Sequence, residues 1–449
     1  MPAERSYIER PRYSCALSGA MTTVSALPRG VPILHAAPGC AGNTTWTQMG
    51  GGALQVGGYC GALTVPGTNV GENDVVFGGE RRLREELEHT FEVIDGDIFV
   101  VVTGCVPAMI GDDVRSVVNE FHDARHAVVV ADTGGFKGNS YYGYDLVLEA
   151  LFRQYVRPEV AKVARRVNLW GVVPSWDVFW RGNLAELRGL LRSLGLEVNA
   201  FFTQDDSARA IREAASASLN IVVSDVYGVR PAEIFRELHG TDFLQIPMPI
   251  GPAASAEFLE TVGERAGVTR RRIAAAVKRQ TRAYFGYIET LADCFADMDL
   301  QRYAVVIGDA NYATAVPRFL VEDLGWLPEL VVYTDLLEDE AKAALARRHE
   351  RIAEPLRPKV VFETDSEQIV RHFRELVPEG DGDRYQRRFS PAFVVGSSLD
   401  RRFAATIGAA HLSVSFPVAN RAVLDRGYAG FSGSLRLVED LLSSIVAGR

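Results

Sequence analysis

The sequence contains no apolar run approaching the roughly 18 to 20 residues that a membrane-spanning helix needs. Its first residues, MPAERSYIERPRYSC, lack the apolar core of a signal peptide. A basic excess is also missing, because 57 acidic residues stand against 48 basic ones and give a net charge of −9. A general nucleic-acid binder needs such an excess to neutralise phosphates. We therefore expect a cytoplasmic protein that binds neither a membrane nor nucleic acid.

Cysteine is scarce, with five residues in a chain of 449. An odd, small number in a long chain argues against a secreted protein held by a disulfide framework. The distribution is more informative than the number. Cys15, Cys40, Cys60 and Cys105 lie in the first quarter of the chain, and only Cys294 lies elsewhere.

Short apolar runs rich in β-branched residues recur along the chain, and each leads into a turn followed by an amphipathic helix. Continuous apolar runs are typical of parallel strands that helices cover on both faces. The sequence therefore predicts an α/β fold with doubly wound, Rossmann-like domains and mostly parallel sheets. The predicted strands are 98–102, 127–130, 169–173, 221–223, 304–307, 360–362, 393–395 and 412–416. A nucleotide-dependent Rossmann enzyme is disfavoured, since no strand is followed by G-x-G-x-x-G with a downstream acid.

The length suggests about three domains at roughly 150 residues each. We expect an N-terminal Rossmann-like domain at 1–165 that carries the clustered cysteines, a second at 166–285 and a C-terminal one at 286–449. The second boundary falls in a polar helix predicted from Arg270 to Arg282, whose continuation to about Asp297 bridges to the strand at Tyr303. The stretch PEGDGD at 378–383 is typical of an exposed loop.

Three of the cysteines lie in turns that begin helices. Cys105 follows a predicted strand in IFVVVTGCVPAMIGDD, Cys40 ends the segment PILHAAPGC, and Cys15 precedes a predicted helix in PRYSCALSGA. Backbone N–H groups at helix starts stabilise thiolates, and thiolates hold iron–sulfur clusters. The residues alone leave two interpretations open, because isolated cysteines are also commonly small buried hydrophobes. Cys60 and Cys294 lack this turn context and are expected in the core.

The same segments resemble the N-terminal domain of nitrogenase component-one subunits. The resemblance is carried, in this order, by PRYSCALSGA, HAAPGC, ENDVVFGGE and TGCVPAMIGDDV. Two further segments, IPMPIGPAASAEFL and the C-terminal VSFPVANRAVLDRGYAGFSGSLRLVEDLL, are similar to β-type subunits. The chain thus resembles this family over nearly its whole length, and most of all the β-type subunit of a methylthio-alkane reductase.

The resemblance implies three Rossmann-like domains and an oxidoreductase that works as an α2β2 heterotetramer. By this resemblance Cys15, Cys40 and Cys105 are the ligands to an iron–sulfur P-cluster, of the eight-iron, seven-sulfide type, shared with an α-type subunit. Electrons would come from a separate ATP-dependent iron protein and pass to a catalytic cluster in the α-type subunit. Phe77 in VVFGG corresponds to a residue at the docking surface for the iron protein. An ordinary core aromatic is the other interpretation of Phe77.

Two family features are absent here. The α-type subunit holds its catalytic cofactor through a cysteine in the second domain and a histidine near the C-terminus. No cysteine lies between Cys105 and Cys294, and the last histidine, His411, lacks the α-type surroundings. We therefore expect no catalytic residues in this chain. His35, beside the Cys40 turn, is interpreted as structural, with a hydrogen bond near the cluster as the alternative.

The second absence concerns oxygen ligation. Molybdenum-nitrogenase β-subunits carry a Thr-Pro-Ser-Phe-Val-Gly stretch whose serine can bind the oxidised P-cluster. The matching stretch here is TGGFKG at 133–138, which puts Gly135 where that serine would be. Oxygen ligation from this side is therefore expected to be lost.

Three functions follow from the resemblance. The first is the β-type subunit of a methylthio-alkane reductase, which cleaves C–S bonds of small thioethers; the compact N-terminus, the intact cysteine triplet and Gly135 favour it. The second is a non-enzymatic scaffold for assembly of the nitrogenase cofactor, favoured by the segment CVPAMIGDDV. The third is a nitrogenase β-subunit. The substrate would react in the partner, so this sequence does not identify it.

Overall fold

The computed structural model describes residues 8, 10–55, 65–121, 127–158, 160–378 and 389–447. The chain forms two compact units. The cysteine-bearing unit comprises Tyr13–Val223 and Tyr227–Gln245. The C-terminal unit comprises Ser224–Val226, the described residues up to Arg12 and those from Ile246 onwards. The division into three domains at 165 and 285 stays a prediction.

The first sheet of the cysteine-bearing unit has three parallel strands in the order β1-β2-β3. Every residue of these strands is buried, as expected for strands covered on both faces. The strands are β1 (Gly30–His35), β2 (Ile98–Thr103) and β3 (Val128–Ala131). The helices of this part are α1 (Ala16–Ala26), α2 (Cys40–Gly51), α3 (Glu72–Phe77), α4 (Glu80–Val93), α5 (Cys105–Ile110), α6 (Val114–Glu120) and α7 (Ser140–Gln154).

A second parallel sheet in the same unit has the order β5-β4-β6-β7. The chain reverses its direction across the sheet after β5, as in doubly wound folds. The strands are β4 (Val163–Trp170), β5 (Glu197–Asn199), β6 (Ala217–Val222) and β7 (Phe243–Gln245). The helices are α8 (Trp180–Ser193), α9 (Ala208–Arg212) and α10 (Val229–His239).

The C-terminal unit contains a five-stranded parallel sheet in the order β10-β9-β8-β11-β12. Its direction of winding reverses between β8 and β11, which is the usual ligand-binding position of such sheets. The strands are β8 (Tyr303–Gly308), β9 (Leu327–Tyr333), β10 (Lys359–Phe362), β11 (Ala392–Gly396) and β12 (Ala410–Ser413). The helices are α11 (Pro252–Arg265), α12 (Arg270–Ile288), α13 (Ala292–Asp297), α14 (Ala310–Glu322), α15 (Asp339–Arg348), α16 (Ile369–Leu376), α17 (Arg401–Thr406) and α18 (Gly430–Val446).

The predicted α/β fold with parallel sheets is confirmed, and each predicted strand overlaps an observed one. Strands β1, β5, β7 and β9 are absent from the predicted strands; in β9, Pro328 and Glu329 interrupt the apolar run. The predicted helix at 270–297 is present but divides into α12, a short 3₁₀ turn and α13. All but the first residue of the predicted loop at 378–383 lies outside the described residues. In the described part of the chain, no helix is long and apolar enough to cross a bilayer.

Close packing of α1 against α7 positions the first cysteine. A Cβ added to Gly19 would lie 1.7 Å from the carbonyl oxygen of Ser140, and one added to Gly143 would lie 2.0 Å from that of Ala16. Only glycine allows helices to approach this closely. The N–H of Ala16 also donates to the carbonyl of Gly138 at 2.9 Å. The start of α1 is thereby held beside the turn that follows β3.

Candidate functional site

Cys15, Cys40 and Cys105 all stand where a helix begins in the cysteine-bearing unit. Cys15 directly precedes α1, and Cys40 and Cys105 are the first residues of α2 and α5. The side chain of Cys15 is exposed, and those of Cys40 and Cys105 are partly buried. The structure therefore does not match three small hydrophobes enclosed in a core.

Glycines let the turn after β1 approach the turn after β2. Gly39, immediately before α2, has a φ of 93°, in the left-handed region that favours glycine. A Cβ on Gly104, immediately before α5, would lie 2.5 Å from the Cβ of Ala36. The N–H of Gly104 donates to the carbonyl of His35 at 2.8 Å. The two cysteine-bearing turns therefore pack against each other at the carboxyl ends of their strands.

The turn after β3 reaches two of the sulfurs at Gly135. Its N–H donates to Sγ of Cys105 at 3.2 Å. A Cβ at this position would lie 3.0 Å from Sγ of Cys105 and 3.4 Å from Sγ of Cys15. Burial raises the pKa of the Cys40 thiol, and the nearby Cys15 and Cys105 raise it further. The structure thus brings the three predicted cysteines together, and we call this group with Gly135 the thiol site.

The thiol site offers sulfur donors and one backbone N–H donor. Among the residues that the structure describes, no three His, Cys, Asp or Glu side chains converge closely enough to hold a single metal ion. In an iron–sulfur cluster the thiolates bind different irons, so they need not converge on one point. An N–H donor to a sulfur also suits a cluster, because such bonds stabilise its negative charge and tune its potential. Thiols with an N–H donor beside one sulfur form a donor set of the kind that iron–sulfur clusters use.

The other two cysteines, Cys60 and Cys294, are both expected in the core, and the structure describes only one of them. Cys294 lies on α13 in the C-terminal unit and is exposed, so its expected place in a core is wrong. The apolar residues of TLADCFADM favour a buried helix, but no residue of α13 is buried. Cys60 lies outside the described residues.

Large apolar side chains are exposed on the elements around the thiol site. Phe77, the last residue of α3, is 85% exposed, so it is not a core aromatic. Val76 beside it, Met109 on α5 and Phe136 next to Gly135 are also exposed. We call Val76, Phe77, Met109 and Phe136 the apolar rim. Exposed apolar residues in this concentration are typical of protein–protein contact surfaces.

Comparison with known proteins identifies the family. The family described as nitrogenase component 1 type oxidoreductase matches residues 15–446, which begin at the first cysteine of the thiol site. The chain belongs to this family. The solved structure described as nitrogenase Cp1 at pH 6.5 has the same fold, with a TM-score of 0.80 at 18% identity over 100% of this chain and 95% of that one.

Relatives in the nitrogenase component 1 family have several functions. The beta chain of the nitrogenase molybdenum-iron protein of Methanococcus maripaludis is 22% identical, over 99% of this chain and 95% of the relative. A light-independent protochlorophyllide reductase of Heliobacterium modesticaldum contributes a subunit that is 23% identical, over 84% of this chain and 69% of the relative. The nitrogenase iron-molybdenum cofactor biosynthesis protein NifE of Methanosarcina barkeri is 32% identical. That match spans 46% of the chain and 46% of the relative, about half of each.

His35 connects several elements beside the thiol site of this family member. The side chain is completely buried, with Nδ1 3.1 Å from Oγ1 of Thr68 and Nε2 3.0 Å from Oδ2 of Asp112. Burial lowers the pKa of His35, although the Asp112 carboxylate acts in the opposite direction. The ring is buried and has a hydrogen-bond partner at each nitrogen, which agrees with the structural interpretation. The role of Asp112 escaped the sequence interpretation, although the residue lies in the segment TGCVPAMIGDDV.

In the C-terminal unit of this family member, the helix start that follows β8 is capped by a carboxylate. Asp309 follows β8, and its Oδ1 accepts the N–H groups of Asn311 and Tyr312 at the start of α14. Its Oδ2 accepts the hydroxyl of Ser415 at 2.7 Å. A carboxylate thus occupies the helix start where a nucleotide phosphate would bind in a dinucleotide enzyme. His411 is also engaged, because its Nε2–H donates to the carbonyl of Ser397 at 2.9 Å.

Proposed function

We propose that this chain is the β-type subunit of a nitrogenase-like reductase and that Cys15, Cys40 and Cys105 bind a P-cluster shared with an α-type subunit. The observation that carries the proposal is the thiol site, where Cys15 and Cys105 lie beside Gly135 and Cys40 is near enough for both to raise its pKa. In the described part of the chain, Cys15 is exposed and Cys40 and Cys105 are only partly buried, so ligands from a partner can complete the coordination. Catalytic residues would belong to the partner, and the complex would act in the cytoplasm.

The residues of the thiol site would contribute to cluster binding in two ways, as thiolate ligands and as a backbone N–H donor. The thiols must lose their protons on binding iron, so assembly of the site releases protons. The raised pKa of Cys40 disfavours a free thiolate, and iron binding must therefore drive its ionisation. The N–H of Gly135 donates to the sulfur of Cys105 and stabilises its negative charge. A P-cluster, when bound, supplies one-electron transfer between the iron protein and the catalytic cluster of the partner.

The apolar rim supports two partner contacts. Its side chains are unfavourably exposed to water in the isolated chain. We assign most of this surface to the α-type subunit, which must come close if it shares the cluster, in an α2β2 assembly. Phe77 is assigned to docking of the ATP-dependent iron protein, because electrons must enter close to the thiols.

The reaction that we propose is cleavage of the C–S bond of a methylthio-alkane. Gly135 supports it, since a residue without a hydroxyl supplies no oxygen ligand beside Cys105 and Cys15. The protochlorophyllide reductase relative supports the wider point that nitrogenase-type chains serve reductions other than that of dinitrogen. The second candidate is a cofactor-assembly scaffold, which the 32% identity with NifE favours. A nitrogenase β-subunit is the remaining alternative.

The ligand assignment is tested by counting iron. Cys15→Ala, Cys40→Ala and Cys105→Ala are prepared with the co-expressed α-type partner under anaerobic conditions. We expect each variant to lose most of the P-cluster iron and its spectroscopic signature, and to weaken the heterotetramer measured by light scattering. Cys294→Ala is the matched control, because that thiol is exposed in the other unit. Equal iron loss in Cys294→Ala and Cys105→Ala would contradict the assignment.

The reaction is tested on the whole complex with iron protein, ATP and a strong reductant. We expect a methylthio-alkane to yield methanethiol and a hydrocarbon, followed by gas chromatography, with dinitrogen and acetylene tested in parallel. Ammonia formation without thioether cleavage would favour the nitrogenase. Transfer of a cofactor to an apo-acceptor without turnover would favour the scaffold.

A further inference from the structure

The His35–Asp112 pair contacts both ends of the helix that carries Cys105. Before this helix, the carbonyl of His35 accepts the N–H of Gly104 at 2.8 Å. After it, the ring of His35 bonds Asp112, two residues beyond the last residue of α5. One buried residue at the end of β1 therefore holds the start and the end of α5 at once.

The second oxygen of Asp112 holds the turn that follows Phe77. Oδ1 accepts the N–H of Gly79 at 2.9 Å, while Oδ2 faces Nε2 of His35. A Cβ on Gly79 would lie 2.5 Å from Oδ2 of Asp112 and 3.0 Å from Cε1 of His35. Gly78 has a φ of 91°, in the region that favours glycine. The two glycines of VFGG thus allow the Phe77 turn to dock against the pair.

This carboxylate has little freedom to move. The side chain of Asp112 is 2% exposed, and each of its oxygens accepts from a different element. His35 is fixed on its other side by Thr68, whose N–H in turn donates to the carbonyl of Leu34 on β1. Removing the acceptors would leave the Gly79 N–H and the ring N–H of His35 buried without partners, which is costly.

We infer that His35 and Asp112 are positioning residues that hold the Phe77 turn against the Cys105 helix. An iron protein docked at Phe77 is then held in a fixed position relative to the thiol site. The rate of electron delivery therefore depends on the His35–Asp112 pair. The inference rests on the proposed function. It adds that Asp112 controls the rate of electron entry from the protein donor without being a cluster ligand.

The test compares three substitutions in the complex with the α-type partner. Asp112→Leu keeps a branched side chain, although a larger one, and removes both acceptors. Asp112→Asn keeps the geometry, because its oxygen can accept from Gly79 while its amide donates to Nε2 of the other His35 tautomer. Asp113→Leu is the matched control. Asp113 is exposed and accepts from Ser116 at the start of α6, so it loses the same charge without touching the pair.

Three quantities are measured. The first is hydrogen exchange of the amides at 77–80, which we expect to accelerate at least about tenfold in Asp112→Leu and to stay near wild type in the other two variants. The second is the rate of reduction by the iron protein, expected to fall about tenfold in Asp112→Leu and to recover in Asp112→Asn. The third is reduction by a small-molecule reductant, together with iron content, both expected to remain unchanged.

The outcomes separate this inference from the function on which it rests. Unchanged exchange in Asp112→Leu would overturn the positioning role, whatever the cluster content. Equal slowing with both reductants, or loss of iron, would also overturn it, because damage to the thiol site would then explain the effect. A wild-type complex without iron would contradict the proposed function itself. The exchange comparison would still decide whether the pair holds the turn.

Discussion

The carboxyl end of the first sheet and that of the C-terminal sheet are equivalent places in a parallel α/β fold, yet they differ in what their turns do. In the cysteine-bearing unit the turns leave Cys15 exposed and Cys40 and Cys105 partly buried. In the C-terminal unit the turns bond to one another, with Asp309 joined to Ser415 and the start of α14. The first sheet end offers thiols to a ligand, whereas the polar groups of the C-terminal sheet end form hydrogen bonds with one another.

This difference between the two sheet ends indicates that the fold determines where a site lies, whereas a few turn residues determine its chemistry. Both ends are surrounded by buried apolar strands. Where a turn supplies a thiol and a glycine, sulfur remains accessible; where it supplies a carboxylate and a serine, the helix start is capped. Substitutions in the two units should therefore have different consequences.

The largest expected change in stability comes from replacing Arg12, a buried residue of the C-terminal unit. Arg12 is 2% exposed, and its guanidinium bonds both oxygens of Asp400, at 2.7 and 2.6 Å, and Oγ of Ser397 at 2.8 Å. Arg12→Ala leaves the Asp400 carboxylate buried without its counter-ion. We expect a loss of about 3–5 kcal/mol in the free energy of unfolding, measured by chemical denaturation at neutral pH.

The control is Arg10→Ala, because Arg10 forms an exposed ion pair with Glu367 and should cost less than about 1 kcal/mol. Burial alone would raise the pKa of Asp400, but Arg12 outweighs it and holds the pKa below its usual value. The stabilisation is therefore present above the pKa of an unfolded aspartate and is lost as the pH falls through the folded value. Similar losses in both variants would contradict the buried-pair account.

The next largest effect is the pH dependence of stability that comes from a second buried carboxyl group, Asp145, whose pKa shifts in the opposite direction to that of Asp400. Asp145 on α7 accepts the N–H of Gly228 at 2.7 Å, and burial raises its pKa to about 8. Between about pH 4 and 8 the folded state holds the proton more tightly than the unfolded state, so stability falls as the pH rises through this window. Asp145→Asn keeps an acceptor for Gly228 and should flatten the dependence by up to about 1.4 kcal/mol per pH unit. Denaturation curves at several pH values measure this slope, and an unchanged slope would refute the assignment.

A smaller effect comes from a single methyl group at either sheet end. In Gly135→Ala the new Cβ would lie 3.0 Å from Sγ of Cys105, so the sulfur or the turn must shift. In Gly308→Ala the nearest atoms, Cβ of Tyr312 and Cβ of Ser415, are 3.4 and 3.5 Å away, in ordinary contact. We expect Gly135→Ala to cost about 1–2 kcal/mol and to alter the cluster spectrum. Gly308→Ala should change stability by less than about 0.5 kcal/mol and leave the spectrum unchanged, and the reverse order would contradict the contrast.

The sequence predicts most of the strands because parallel strands buried on both faces are continuously apolar, but it misses the three-residue strands β5 and β7, which are partly exposed. It also identifies the cysteines at helix starts, because a strand followed by a Gly-Cys turn is a local pattern. It does not reveal that Gly135 lies between Cys105 and Cys15, or that Asp112 bridges His35 and Gly79. Those contacts join segments distant in the chain, and the placement of Cys15 depends also on close helix packing at Gly19 and Gly143. The expected burial of Cys294 is wrong for a related reason, since an apolar pattern does not say whether another element covers it.

The smallest effect on the fold is expected for Phe77→Ala, which should nevertheless change electron delivery. Phe77 is 85% exposed, so its truncation removes little packing and should change the free energy of unfolding by less than about 0.5 kcal/mol. If the side chain contacts the iron protein, the rate of reduction should fall several-fold when that protein is limiting, with iron content unchanged. Leu424→Ala is the matched control, because Leu424 is 77% exposed in the C-terminal unit and has no assigned partner role. Equal rates in the two variants would remove Phe77 from the docking surface and leave the thiol site without an identified point of electron entry.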